Sequence, residues 1–75
     1  MKLNKVEKTI LRQIEVVGDS IRKGFNTIVA IKDYYNAYKN ADDPVMDIED
    51  ITNLLIFMKN VNKVISNSDG EYYLI

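Results

Sequence analysis

Five carboxylates fall within nine residues, at Asp42, Asp43, Asp47, Glu49 and Asp50, and they are the densest set of potential ligands in this 75-residue chain. Clustered oxygen ligands suit Mg²⁺ or Ca²⁺. The spacing lacks the EF-hand pattern and its central glycine, however. Asp47 followed by Glu49 and Asp50 has the form of a helix start, with a capping side chain and an acidic first turn. The cluster therefore reads as structural, and neither a metal nor a cofactor is expected.

A second set is basic. Lys2, Lys5, Lys8 and Arg12 could contact phosphates, joined by Lys59 and Lys63 if a later helix reaches that end, and Tyr34, Tyr35 and Tyr38 could stack on bases. Against this stand a net charge of −1 and the helical spacing of Tyr35 and Tyr38, which suits core packing better. A helix-turn-helix centred on Gly18 would put polar Arg22, Lys23 and Gly24 where a buried residue is needed. Nucleic acid is thus the alternative partner rather than the favoured one. The chain has no His and no Cys, and no Gly-rich phosphate loop or GxSxG sequence. Disulfides, the usual zinc and iron sites, and nucleophilic or acid–base catalysis lack their residues, so the chain is not expected to be an enzyme.

The elements that would position these groups are helical. Ile14, Ile21, Ile28 and Tyr35 recur every seven residues, as do Leu3, Ile10, Val17, Ile31 and Tyr38 with Gly24 in the remaining slot. Together they form one apolar stripe resembling a coiled-coil seam. The unbroken phase predicts a long first helix over about residues 3–39, with Asn4 as N-cap and Glu7 three residues on. The alternative is a break near Gly18, giving a three-helix bundle. Residues 40–46 form a connection containing Pro44, and a second helix is predicted over about 47–66. Ser68, Asp69 and Gly70 signal a turn. Tyr72, Tyr73, Leu74 and Ile75 then form a short extended tail (residues 67–75 in all) that packs on the helices or docks on a partner. The expected fold is one all-α domain, a helical hairpin.

Lengths in that hairpin do not match. The first helix would run about 55 Å and the second about 30 Å at 1.5 Å per residue. Ile10, Leu11, Ile14 and Val17 would lie largely open, with Gly24 allowing close backbone approach. Burial of each large apolar side chain stabilises by about 1.5–3 kcal/mol. A second copy would supply the cover, as a homodimeric four-helix bundle. Charge is also uneven: residues 1–40 carry eight basic and four acidic side chains, and residues 41–75 two and seven.

No run is long enough to span a membrane. Residues 3–17 mix Glu7 and Glu15 with the lysines, which is poor for a membrane-surface helix. The opening residues lack an apolar signal core, so a soluble cytoplasmic protein is expected. Abundant Ile, Lys, Asn, Asp and Tyr fits the AT-rich coding of a low-GC microbe, mobile element or virus. The functional expectation is a small protein-interaction module, an adaptor or inhibitor, that associates with itself and binds a partner protein. The contacts fall to Ile10, Leu11, Ile14, Val17, Ile21, Gly24 and the tail Tyr72–Ile75.

Overall fold

Short polar side chains set where each helix begins, and two residues with positive φ set where two of them end. The computed structural model describes residues 2–75. They form a small, mostly helical domain in the order α1 (Lys5–Arg22), α2 (Ile28–Tyr38), α3 (Ile48–Asn60), β1 (Val64–Ser66) and β2 (Tyr72–Leu74). Asn4 and Glu7 close a capping box on α1, with the Glu7 amide donating to Asn4 Oδ1 at 2.8 Å. Asp47 and Asp50 close another on α3, also at 2.8 Å. Thr27 caps α2 by accepting from the Ala30 amide at 3.3 Å. Each cap satisfies amides that the first turn leaves without a helical partner.

The long first helix does not form. α1 stops at Arg22, and Gly24 adopts φ +94°. The Gly24 amide donates to Ile21 O and the Phe25 amide to Ser20 O, both at 3.0 Å. This paired bonding is the Schellman termination, in which the left-handed residue is usually glycine. Ser20 strengthens it, its buried hydroxyl donating to Phe25 O at 2.7 Å. Gly24 is therefore a helix stop and not a place of close backbone approach; a Cβ there would meet nothing within 4 Å. The sevenfold phase persists across the break because α2 turns its own apolar face to the same core. The chain does break, but after Arg22 rather than near Gly18, which lies inside α1.

The second predicted helix is also too long. It ends at Asn60, and Asn62 takes φ +60°. The Asn62 amide donates to Lys59 O at 3.1 Å and the Lys63 amide to Met58 O at 2.8 Å, a second Schellman termination. Val64–Ser66 then leave the helix as a strand paired antiparallel with the tail, in the register Val64↔Leu74, Ile65↔Tyr73, Ser66↔Tyr72. The tail is thus half of a hairpin rather than a lone extended segment. Asn67 shapes the turn, its Oδ1 accepting from the Asp69 and Glu71 amides at 3.0 Å each.

One face of this small sheet closes the core. Val64 is buried, and Tyr72 and Leu74 pack beside it, while Ile65 and Tyr73 point outward, the alternation expected of a strand. Val17 and Ile21 of α1, Ile31 and Tyr35 of α2, Met46 of the connection, and Ile51, Leu55 and Met58 of α3 fill the rest. β2 is tied to the α1–α2 junction as well: Tyr72 donates its amide to Asn26 O at 2.8 Å, and Thr27 bridges Glu71. The longest dimension is 37 Å and the radius of gyration 11.8 Å, close to the ~11 Å that packed domains of this length show.

Candidate functional site

The apolar stripe of α1 divides into a covered half and an uncovered half. Its buried residues, Val17, Gly18, Ser20 and Ile21, all lie toward the C-terminal end, where α2 and β2 pack. The N-terminal half runs past both neighbours. Leu11 is 47% exposed, and Leu3 and Val6 are also open. Ile10 and Ile14 are only half-buried.

Across from this half lies the outer side of α3. Its apolar residues outnumber what the core can take: Ile51, Leu55 and Met58 face inward, which leaves Phe57 46% and Val61 44% exposed. Between the helices runs an open groove of two adjoining depressions. One is lined by Leu3, Ile10, Leu11, Ile14, Phe57 and Val61, with Glu7 and Lys63 at its rim. The other is lined by Ile10, Gln13, Pro44, Val45, Leu54 and Phe57, with Asp50 at its rim. Ile10 and Phe57 belong to both.

Two polar ties hold the connection that brings Pro44, Val45 and Met46 to the groove. Arg12 grips Asp43 with two hydrogen bonds, Nη2 to Oδ1 at 2.7 Å and Nε to Oδ2 at 3.1 Å. Asp43 is buried, and the Arg12 guanidinium holds its carboxyl below the ordinary value. Asn36 does for α2 what a strand neighbour would do: its amide donates to Met46 O at 2.8 Å and accepts from the Met46 amide at 2.9 Å. Residues 43–46 are pinned against α1 and α2 in this way. Beneath them Tyr35 is fully buried, and its hydroxyl has no hydrogen-bond partner among the described residues. Burial pushes its phenol up, while the nearby Gln13 side chain, which makes no hydrogen bond of ordinary geometry with it, pulls the other way.

A second exposed apolar feature shares no residue with the groove. Phe25 and Tyr34 stack at 5.8 Å between centroids, and Tyr34 meets Tyr38 at 4.6 Å. Lys23 Nζ lies 5.6 Å from the Tyr34 ring centre and donates to its hydroxyl at 3.2 Å. Tyr38, expected in the core from its spacing, is 67% exposed; only Tyr35 of the three tyrosines is interior.

The residues named from the sequence therefore separate. Ile10, Leu11 and Ile14 come together at the groove. Val17 and Ile21 are consumed by the protein's own core, and Gly24 lies at the α1 terminus. Tyr72 and Leu74 pack inward, whereas Tyr73 and Ile75 remain exposed. Of the basic set, Arg12 is committed to Asp43, while Lys2, Lys5 and Lys8 are exposed. The acidic run has structural work to do: Asp43 is ion-paired, and Asp47 and Asp50 form the α3 cap. Among the described residues no three His, Cys, Asp or Glu side chains converge as a metal site, and no helix is long and apolar enough to cross a membrane.

Sequence reasoning missed Val45, Pro44 and Phe57 as groove residues. Phe57 flanks the inward-facing Ile51, Leu55 and Met58, so its outward direction follows from helical spacing. Val45 carried no periodic signal. No family model, curated protein or solved structure matches the chain.

Proposed function

We propose that this protein is a protein-interaction module, an adaptor or inhibitor that acts by burying the α1–α3 groove against another polypeptide. One observation carries it. Among the described residues fourteen large hydrophobic side chains are exposed while nine hydrophobic residues form the buried core, and six of the groove's apolar side chains lie side by side in one depression. Scattered exposed apolar residues are ordinary, but a contiguous apolar surface rimmed by polar groups is characteristic of an interface.

The nucleic-acid reading draws less support. Were α2 and α3 used as a helix-turn-helix, the first turn of α3 would face the bases. That turn carries Asp47, Glu49 and Asp50, which phosphates repel. Lys2, Lys5 and Lys8 alone are too few for strong phosphate binding at physiological salt.

The test is site-specific photocrosslinking in the producing cell. A photoreactive residue at position 11 or 57 should give a covalent adduct with a polypeptide, and the same group at exposed Asn60 should not. No adduct from either groove position would sink the reading. Retention on DNA abolished by Lys5→Glu and Lys8→Glu would favour nucleic acid instead.

A further inference from the structure

We propose that the peptide bond after Asp69 is a site of spontaneous covalent modification, where the Asp69 carboxyl and the Gly70 amide close to a succinimide that reopens as an isoaspartyl link. The reaction needs a free side-chain carboxyl and a following amide that is lightly held and sterically open. Seven aspartates occur in the chain, and the fold closes this chemistry at the other six. Asp43 precedes Pro44, which has no amide proton, and its carboxyl is gripped by Arg12. Asp47 and Asp50 commit their carboxyls to the α3 capping box. Asp19 and Asp33 lie inside helices, where the next amide is bonded along the helix, and each carboxyl is ion-paired. Asp42 is followed by Asp43, whose amide donates to Asn40 O at 3.0 Å and is crowded by its own side chain.

Asp69 differs in each respect. It is exposed, and among the described residues its carboxyl makes no hydrogen bond or ion pair. The Gly70 amide donates to Asn67 O at 3.3 Å, the longest of the backbone bonds that close the turns and caps. Glycine has no Cβ to hinder attack on its nitrogen, and the space a Cβ would fill has nothing within 4 Å. Asn67, the neighbouring amide side chain, is immobilised: its Oδ1 accepts from the Asp69 and Glu71 amides, and its Nδ2 donates to Glu71 Oε1 at 2.9 Å.

The Gly70 nitrogen bonds to Asp69 Cγ, and the amide proton leaves with the carboxyl hydroxyl as water. Water then adds to either carbonyl of the cyclic imide. Opening at the Asp69 main-chain carbonyl leaves Gly70 joined through Cγ and frees the α-carboxylate as a side group. The net composition is unchanged, and no oxidant or cofactor takes part. The main chain gains one atom between two amides that Asn67 Oδ1 holds at 3.0 Å each, so one of those bonds must yield. Directly beyond lie the Thr27–Glu71 bridge and the bond from the Tyr72 amide to Asn26 O. Modification of the turn therefore loosens β2 from the α1–α2 junction.

The folded chain is incubated at neutral pH in water enriched in the heavy oxygen isotope, digested in ordinary water and fragmented by electron transfer. The segment 64–75 should take up label and accumulate a β-linkage at residue 69, while the other aspartates remain α-linked. No β-linkage at residue 69 over a time that converts the free peptide 64–75, or equal conversion at another aspartate, overturns the proposal. Asp69→Glu keeps the charge but requires a larger, slower-forming ring, so it should abolish both label and linkage; persistence of either overturns the assignment to Asp69. The isoaspartyl chain, separated from the unreacted one, should exchange its Tyr72 amide hydrogen severalfold faster and melt at a lower temperature. Equal exchange in the two chains overturns the coupling of the turn to β2.

Discussion

Tyr35, Asp43 and the two glycines of residues 18–24 show how much a single atom decides in a chain this small. The Tyr35 hydroxyl is buried without a partner, and an unsatisfied buried polar group costs about 1–3 kcal/mol. Tyr35→Phe is therefore expected to stabilise the fold by about 1 kcal/mol in chemical denaturation; a loss of stability would mean that the hydroxyl is bonded in solution. Gly18 and Gly24 should respond oppositely to one substitution. A Cβ on helical Gly18 would stand an ordinary 3.7 Å from Arg22 Nη2, so Gly18→Ala should gain up to about 1 kcal/mol. Gly24 has open space but φ +94°, so Gly24→Ala should lose about 1 kcal/mol through backbone strain. Asp43 sets a pH dependence. Its carboxyl titrates lower when folded because Arg12 binds its charged form, so the unfolded chain binds the extra proton in acid. The contribution is complete above the ordinary aspartate range and is lost as pH falls through the lowered folded value. Asp43→Asn should lower stability at neutral pH and flatten the acid limb of a stability–pH curve.

At the scale of elements, legibility followed the range of the interaction that set each boundary. Two of the three helix starts were readable because a cap is a matter of three residues: Asn4 with Glu7, and Asp47 followed by an acidic turn, stand where the chain was expected to enter α1 and α3, whereas the Thr27 cap of α2 lay inside the expected long helix. Helix ends were misread for two different reasons. Gly24 carries the usual signal for a left-handed stop, but its place in a sevenfold apolar series argued for continuation, and the local backbone preference prevailed. Asn62 stops α3 in front of Val64 and Ile65, which extend the helical apolar pattern in letters only; their true partners, Leu74 and Tyr73, are ten and eight residues away. The groove was half legible. Ile10, Leu11 and Ile14 follow from periodicity, while the opposing wall depended on where the chain turned after Pro44. Because β2 completes the core, removing residues 70–75 should lower stability by on the order of 2–4 kcal/mol, the loss expected for two half-buried side chains and a strand ladder. Equilibrium unfolding of the truncated chain checks this, and unchanged stability would show that the hairpin is ornamental.

For the whole molecule, the large number of exposed apolar side chains beside a small core means that any association through them would add to stability. If two copies share the groove, the melting temperature should rise with protein concentration, because association favours the folded state by mass action. Phe57→Glu should remove that dependence while leaving the low-concentration melting temperature near the parent value. A melting temperature independent of concentration in the parent chain would place the groove's partner elsewhere.

The bond from the Tyr72 amide to Asn26 O, with the Thr27–Glu71 bridge beside it, also imposes an order of events in the cell. The junction between the first two helices is held by residues made some forty-five positions later. A ribosome that has translated α1, α2 and α3 therefore carries a nascent chain whose sheet is absent and whose core lacks Val64, Tyr72 and Leu74. Locking of the domain has to wait until residues 72–74 clear the exit tunnel, and until then the part of the α1 face that Tyr72 and Leu74 cover stays open to chaperones and to neighbouring chains on the same message.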